Sequence, residues 1–332
     1  MRKYFLWFIS LFILLIPVIA FISYALLFSP QTPEKPVQLE IQPGTGLSKV
    51  ALNLQDAGVI RSAVAVKLLA RWNNQSGKIQ AGHYQFKDPA SPGDVLNRLI
   101  QGDVEKVSLT VPEGFTLQQI IARIIEKGFG DKERLLGLAS DVDFIHSLRI
   151  EADSLEGYLF PETYLFAPGI DEKALLSMMV SQFRFHADSK LKDDAKKLGL
   201  NLHQWVTLAS IIEKETGIVA EMPVISSVFH NRLKRNIPLQ TDPTVIYGIK
   251  DFDGNITRKH LTTSTPYNTY LIRGLPPGPI ASPGLAALEA AAHPATTKYL
   301  YFVARGDGGH QFSKTLAEHN AAVRKYQLRR RK

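Results

Sequence analysis

From Tyr4 to Phe28 the chain runs for 25 residues without a charged side chain, "YFLWFISLFILLIPVIAFISYALLF". At about 1.5 Å per residue, a helix of that length exceeds the roughly 30 Å of bilayer hydrocarbon. Arg2 and Lys3 precede the run, and the positive-inside bias then keeps residues 1–3 in the cytoplasm and sends the rest across. A cleaved signal peptide would carry an apolar stretch of about 7–15 residues and small residues around a cut site. Neither is evident, so the expectation is an uncleaved single-pass anchor over 4–28 in the inner (plasma) membrane, with an extracytoplasmic body. Pro17 is compatible with a membrane helix.

The 332 residues leave room for two or three domains beyond that anchor. There are no cysteines, which excludes disulfides and thiolate metal sites. The nine histidines are scattered with no HExxH spacing, so no metal site is expected. "GTGLS" (44–48) lacks the lysine and the length of a phosphate loop, and no cofactor is implied. The formal charge of +8 suits anionic lipid or acidic wall polymers. Without a helix-turn-helix, an RNA-binding signature or zinc spacing, nucleic acid is not an expected partner. The basic residues 329–332 read as a solvated tail.

"SPQTPEKP" (29–36) is a proline-punctuated tether that spans on the order of 25 Å if extended. The region 37–129 then repeats itself. Residues 37–58 and 107–128 align at a constant offset of 70. Val37, Leu39 and Ile41 match Val107, Leu109 and Val111 with the alternation of a half-buried strand. Leu47, Val50, Ala51 and Leu54 match Leu117, Ile120, Ile121 and Ile124 at helical spacing, and Gly44 and Gly58 match Gly114 and Gly128. Between the copies, residues 81–103 read as another strand, a Pro-Gly turn and a short helix. "IQPGTGLSKVALNL" resembles one turn and half a helix of a LysM module, a small wall-glycan binder; a purely scaffolding role fits the same residues.

Residues 130–154 read as a helical connector, and a larger domain follows over 155–328. Its helices are expected around 172–185, 202–216 and 221–234 and after Ser282-Pro283, with a hairpin over 299–313 turning at 307–309. The fold class is therefore α+β: one transmembrane helix, a LysM-like repeat region and a larger mixed α+β domain.

The helix ending in "LASIIEKETG" (208–217) carries the chemistry-bearing pair. Asn201 and Gln204 form a capping pattern at its start, and Gly217 is a candidate stop. Glu215 continues the apolar stripe of Leu208, Ile211 and Ile212. Glu213 lies about 200° round the helix, beside Val206 and Ser210, and reads as the solvated charge. Apolar neighbours and the negative end of a helix dipole both favour a protonated Glu215, the state a general acid needs near neutral pH. Glutamates in last turns are common, so periodicity alone does not establish chemistry.

"LEGYLFPETY", "ASIIEKETG", "VFHNRL", "LQTDPTVIYGI", "TPYNTY", "GLPPGPIASPG", "AAAHPA" and "YLYFVARGDGGHQFS" together closely resemble the YceG-like, MltG-type family of endolytic murein transglycosylases. The likeness runs from the anchor to near the C-terminus and is densest over 155–320. It implies cleavage of the β-1,4 bond between N-acetylmuramic acid and N-acetylglucosamine within peptidoglycan strands, without water, leaving 1,6-anhydro ends. It also implies wall-synthesis enzymes at the membrane as partners. The family's catalytic glutamate falls in "EKET"; Glu215 is the assignment, with Glu213 in reserve. Gln240, Thr241 and Asp242 from "LQTDPTV", and Tyr267 and Asn268 from "TPYNTY", are candidate substrate contacts. Each also fits a plain role, as a turn closing a loop or as buried core. A hydrolase using Asp242 to activate water and a non-catalytic wall-binding adaptor are the competing functions.

Overall fold

The computed structural model describes residues 15–25, 28–104, 106–250 and 252–328. Residues 1–3, the tail 329–332 and most of the predicted span lie outside the described residues. Residues 15–25 are helical, with Leu15, Ile16, Val18, Ile19 and Phe21 exposed. Among the described residues no helix is long and apolar enough to cross a membrane.

The architecture is α+β and divides into two compact units. The first runs to Ser108 and includes Leu165–Gly169; the second comprises Leu109–Tyr164 and the chain from Ile170 onward. The division falls inside the region 37–129 that the sequence repeat joins.

In the first unit, strand β1 (Val37–Ile41) is followed by helices α1 (Leu47–Asp56) and α2 (Ala63–Trp72), strand β2 (Gly82–Phe86) and helix α3 (Pro92–Gln101). β1 and β2 are antiparallel, with Val37 opposite Phe86 and Leu39 opposite Tyr84. Val50, Ala51 and Leu54 of α1, Val66 and Ala70 of α2, Tyr84, Phe86 and Val95, Leu96 and Leu99 of α3 fill one core. Tyr84 is buried among them because its hydroxyl donates to the Gln80 carbonyl at 2.8 Å. Pro92-Gly93 is the first turn of α3 rather than a loop. Ser91 and Asp94 form a reciprocal capping box, and proline costs no hydrogen bond at that position.

The segment expected to be an extended tether is fixed from Gln31 onward. Gln31 N donates to Ala90 O at 3.0 Å and Ala90 N to Gln31 O at 3.1 Å, and Pro33 is buried.

The second unit takes up the end of strand β3 (Val107–Thr110), then α4 (Leu117–Glu126), α5 (Lys132–Leu138), α6 (Val142–Ser147) and the start of β4 (Thr163–Phe166). The Thr110 and Thr163 hydroxyls lie 2.9 Å apart. β3 and α4 repeat β1 and α1 at the 70-residue offset. Gly44 (φ 81°) and Gly114 (φ 71°) supply the same left-handed turn between strand and helix. The larger body follows: α7 (Glu172–His186), α8 (Ser189–Lys197), α9 (Leu202–Glu215), α10 (Met222–Lys234), α11 (Asp242–Tyr247), α12 (Arg258–Thr262), α13 (Leu285–Ala292), the antiparallel hairpin β5 (Tyr301–Ala304) and β6 (His310–Ser313), and α14 (Leu316–Val323).

α9 is the central helix, packed by α8, α10, α11 and α13. Every residue from Trp205 to Ile212 is buried, so its middle has no solvent face. A helix read from sequence as one-sided is surrounded instead, because its polar residues are satisfied locally. Thr207 donates to the His203 carbonyl at 2.7 Å and Ser210 to the Thr207 carbonyl at 2.7 Å. The Ser210 hydroxyl also accepts from Ile280 N at 3.0 Å, and the Trp205 indole donates to Leu288 O at 2.9 Å. The capping box of Asn201 and Gln204 starts the helix. It does not end at a left-handed Gly217; Thr216 turns directly into extended backbone, φ −150° and ψ 140°.

Gly157, in the loop that presents Tyr158 to His203, combines a φ of 82° with contact against the Pro279 ring and Val206 Cγ1. A Cβ there would clash with a rigid ring in a backbone region that L residues avoid. Gly157→Ala is expected to destabilise the protein by roughly 2–4 kcal/mol, read as a lower urea midpoint with unchanged slope. A variant within about 0.5 kcal/mol of the parent would contradict this packing.

Candidate active site

Glu215 is the last residue of α9 and opens into a cavity of about 430 Å³. One wall is Arg232 of α10 with Leu239, Gln240, Asp242 and Tyr270; the other is Tyr301–Ala304 and His310 of the hairpin with Leu316, His319 and Val323. Burial pushes the Glu215 carboxyl up from its ordinary 4.5 to about 7. The Thr241 hydroxyl opposes that rise, the charge of Asp242 adds to it, and the Arg232 guanidinium opposes it.

The loop before α11 sets most of this environment. Gln240 adopts a left-handed conformation (φ 52°), its N–H donating to Thr269 O at 3.0 Å. Thr241 N donates to the Thr269 hydroxyl at 3.1 Å. The Thr241 hydroxyl is buried beside Glu215 yet has no hydrogen-bond partner of good geometry. Its interaction with the carboxyl is therefore a close approach rather than a formed bond. Asp242 Oδ1 accepts from the Tyr270 hydroxyl at 2.7 Å, which fixes that carboxylate at the cavity edge.

Arg232 is a contributor that the sequence reading did not single out. It is buried; Nε donates to Leu300 O at 2.7 Å, and Nη1 to Pro238 O at 3.1 Å, Leu239 O at 2.9 Å and Gln240 Oε1 at 3.1 Å. Its guanidinium also lies 5.1 Å from the Tyr301 ring centre. The only signal available was an arginine inside the otherwise core-like string "SSVFHNRL", where a charge demands a reason. His310 also lines the cavity. Its Nδ1 lies 2.7 Å from Glu221 Oε2 and its backbone N donates to Glu221 Oε1 at 3.0 Å. Burial works to raise the Glu221 carboxyl, but the two bonds to His310 hold it below its ordinary value. His319 stacks on Tyr301 and keeps Nδ1 buried without a partner. Thr241 Oγ1 and His319 Nδ1 thus leave two polar positions for a ligand to satisfy.

The remaining expected residues lie elsewhere. Glu213 is not a solvated charge. It is half-buried, and its Oε2 accepts from Gly284 N, at the start of α13, at 3.0 Å. Burial raises its carboxyl, with the Gly284 bond and Lys214 opposing and Glu113 adding. Its work is to cap the neighbouring helix. Asn268 is fully buried, donating to the carbonyls of His260, Leu261 and Thr263 and accepting from Tyr270 N at 3.0 Å. Its amide is committed to shaping a loop and is absent from the Glu215 cavity. Tyr267 packs 4.8 Å from the Tyr247 ring, in a second cleft with Glu156, His146 and His203. Glu156 there accepts from Leu117 N and the Tyr247 hydroxyl, both at 3.0 Å, and burial raises it to about 7. Among the described residues no group of acidic and histidine side chains could hold a metal ion.

One carboxyl held near neutrality, a neighbouring cation and an adjoining cavity define a site that can give up and take back a proton. Residues 39–325 match the model of the YceG-like family, and the chain belongs to that family. An endolytic murein transglycosylase of Bacillus subtilis (strain 168) is 36% identical over 306 residues, 87% of this chain and 84% of the relative. One of Streptococcus pneumoniae is 29% identical, and the match spans about half of that relative, 54%. The crystal structure of a YceG-like protein from Listeria monocytogenes is also similar, at 33% identity and a TM-score of 0.60, over 87% of this chain and 99% of that one.

A carboxyl whose folded pKa lies near 7 rather than 4.5 binds its proton more tightly in the folded than in the unfolded state. Its contribution is intact below pH 4.5 and is lost as pH rises toward 7. Glu215→Gln removes that loss. Its stability relative to the parent should be level near pH 4.5 and higher by roughly 1–3 kcal/mol at pH 8, measured by urea unfolding at both values. An equal difference at both pH values would mean that the carboxyl is not held neutral.

Proposed function

We propose that the chain is an endolytic murein transglycosylase that acts through Glu215 alone. The observation that carries this is a carboxyl held near neutrality at the end of a rigid core helix, facing a groove lined by Arg232, Gln240 and Asp242. Protonated Glu215 gives its proton to the glycosidic oxygen as the bond to the muramyl anomeric carbon breaks. The carboxylate formed is favoured by Arg232 and the Thr241 hydroxyl. It then takes the proton from the muramyl 6-hydroxyl as that oxygen closes on the same anomeric carbon. The acid is regenerated, no water is consumed, and a 1,6-anhydro end results. Because the nucleophile is part of the substrate, a second catalytic carboxylate is unnecessary. Asp242, anchored by Tyr270, raises the pKa of Glu215 and positions substrate together with Gln240.

The apolar run 4–28 is the membrane anchor of this reading, with the body outside the cytoplasm. The β–α–α–β arrangement of the first unit is its LysM-like element, which binds glycan beside the membrane. That location makes nascent strands the substrate and wall-synthesis enzymes the neighbours, with cleavage ending strand growth.

The test is mass spectrometry of products from uncrosslinked glycan treated with the detergent-solubilised full chain. Anhydro-ended fragments are expected, one water lighter than hydrolysed ends, and Glu215→Gln should slow their release by about 10²–10⁴-fold. Hydrated ends would overturn the mechanism, and a fully active Glu215→Gln would overturn the residue. Since the acid form is required, kcat/KM should fall about tenfold per pH unit above a midpoint near 7, and Glu215→Asp should not restore it.

A further inference from the structure

The outward face of α2 has no partner within the first unit. Val64, Leu68 and Trp72 are 51%, 48% and 91% exposed, and successive positions four residues apart stay within about 80° of one another on a helix. Lys67 and Arg71 lie on the same side of the helix and Arg61 is exposed just ahead of its Ser62 cap, while Ala63, Val66 and Ala70 supply the buried face. From Ala57 to Lys87, 31 consecutive residues, there is no acidic side chain, and five are lysine or arginine. Among the described residues no ion pair engages Arg61, Lys67 or Arg71.

A single exposed apolar residue needs no explanation, but an aliphatic pair continued by an almost bare tryptophan and flanked by unpaired cations does. That combination matches a membrane interface. There the indole sits at headgroup depth, the aliphatic side chains enter the acyl boundary, and lysine and arginine reach anionic phosphates. A sugar polymer would use the aromatic ring and leave Val64 and Leu68 without purpose. The path of the chain supplies the proximity. Gln31 is bonded to Ala90, so if the span ends at Phe28 only two residues separate it from the folded unit, a reach of about 10 Å.

We propose that the α2 face bearing Val64, Leu68 and Trp72 docks onto the anionic phospholipid headgroups of the bilayer that anchors the chain. The first unit is then laid on the membrane rather than merely leashed to it. This rests on the anchor assigned under the proposed function, and the experiment separates the two. Because the chain has no cysteine, Leu68→Cys takes a single environment-sensitive dye, and Lys196→Cys on exposed α8 serves as the control position. The full-length chain is reconstituted into phosphatidylcholine vesicles with or without phosphatidylglycerol. Flotation reports the anchor, and dye emission with quenching by brominated lipid reports docking.

Floating protein with blue-shifted, quenched emission at position 68 but not at 196, stronger with phosphatidylglycerol, is the expected result. Replacing Arg61, Lys67 and Arg71 together by serine should lower the docked-to-undocked ratio by about 100-fold, taking each cation as worth about fivefold. Floating protein whose dye at position 68 stays in a water-like environment in both vesicles overturns docking while leaving the anchor intact. Failure to float overturns the anchor and the docking with it. A dye response to soluble glycan fragments in place of vesicles also overturns the proposal, in favour of a sugar site.

Discussion

Keeping one carboxyl group largely out of water at the wall of a cavity is the constraint around which the second unit is arranged. Glu215 stands at the end of a helix whose eight residues Trp205–Ile212 are buried, separated from that enclosed stretch by Glu213 and Lys214, so the side chain is presented from a packed core element. An enclosed carboxyl is costly as an anion, and the surroundings leave that cost only partly relieved. Arg232 and Thr241 offset it, Asp242 increases it, and the group settles close to the midpoint of its proton equilibrium at neutral pH. A site balanced in this way can release and recover a proton with little driving force in either direction, which a single residue performing both transfers requires.

Neighbouring carboxylates show why identity of side chain is not enough. Glu213 is two positions away, is also raised by burial, and yet is tied to the N-terminus of α13 through Gly284. Glu156 reaches a similar value to Glu215, but its two oxygens are bound by Leu117 N and Tyr247. Both are held by donors that favour a static structural role. Glu156 also borders a cleft, but Glu215 differs in having unsatisfied polar atoms close by in its cavity, at Thr241 and His319.

Much of the fold was legible because periodicity and caps are local. The 70-residue repeat reappears as matching strand–turn–helix pairs, and the capping box at Asn201 marks a helix start in the sequence itself. What misled was the inference from a polar residue to a solvated face. Ser210 and Thr207 bond to their own helix, so the stripe on α9 could not distinguish a surface helix from a buried one. Tyr267 and Asn268 are candidates through the string "TPYNTY", of which only Tyr270 lines the Glu215 cavity. A loop that doubles back on Asn268 separates them, and that bond pattern involves carbonyls, which carry no sequence signature. Arg232 and the Glu221–His310 pair depend on contacts 68 and 89 residues apart, beyond any local reading.

Arg232 joins three segments through one planar group. It clasps the turn at Pro238 and Leu239 that leads into the Thr241–Asp242 wall, and also Leu300, where the chain enters the opposite wall. The same atoms that bias Glu215 toward its charged form are therefore the crosspiece that sets how far apart the two walls stand. Lysine, with one ammonium on a flexible stem, could supply the charge but not the span. Acidity and aperture are mechanically coupled in this protein, so a change that retunes one is obliged to reshape the other.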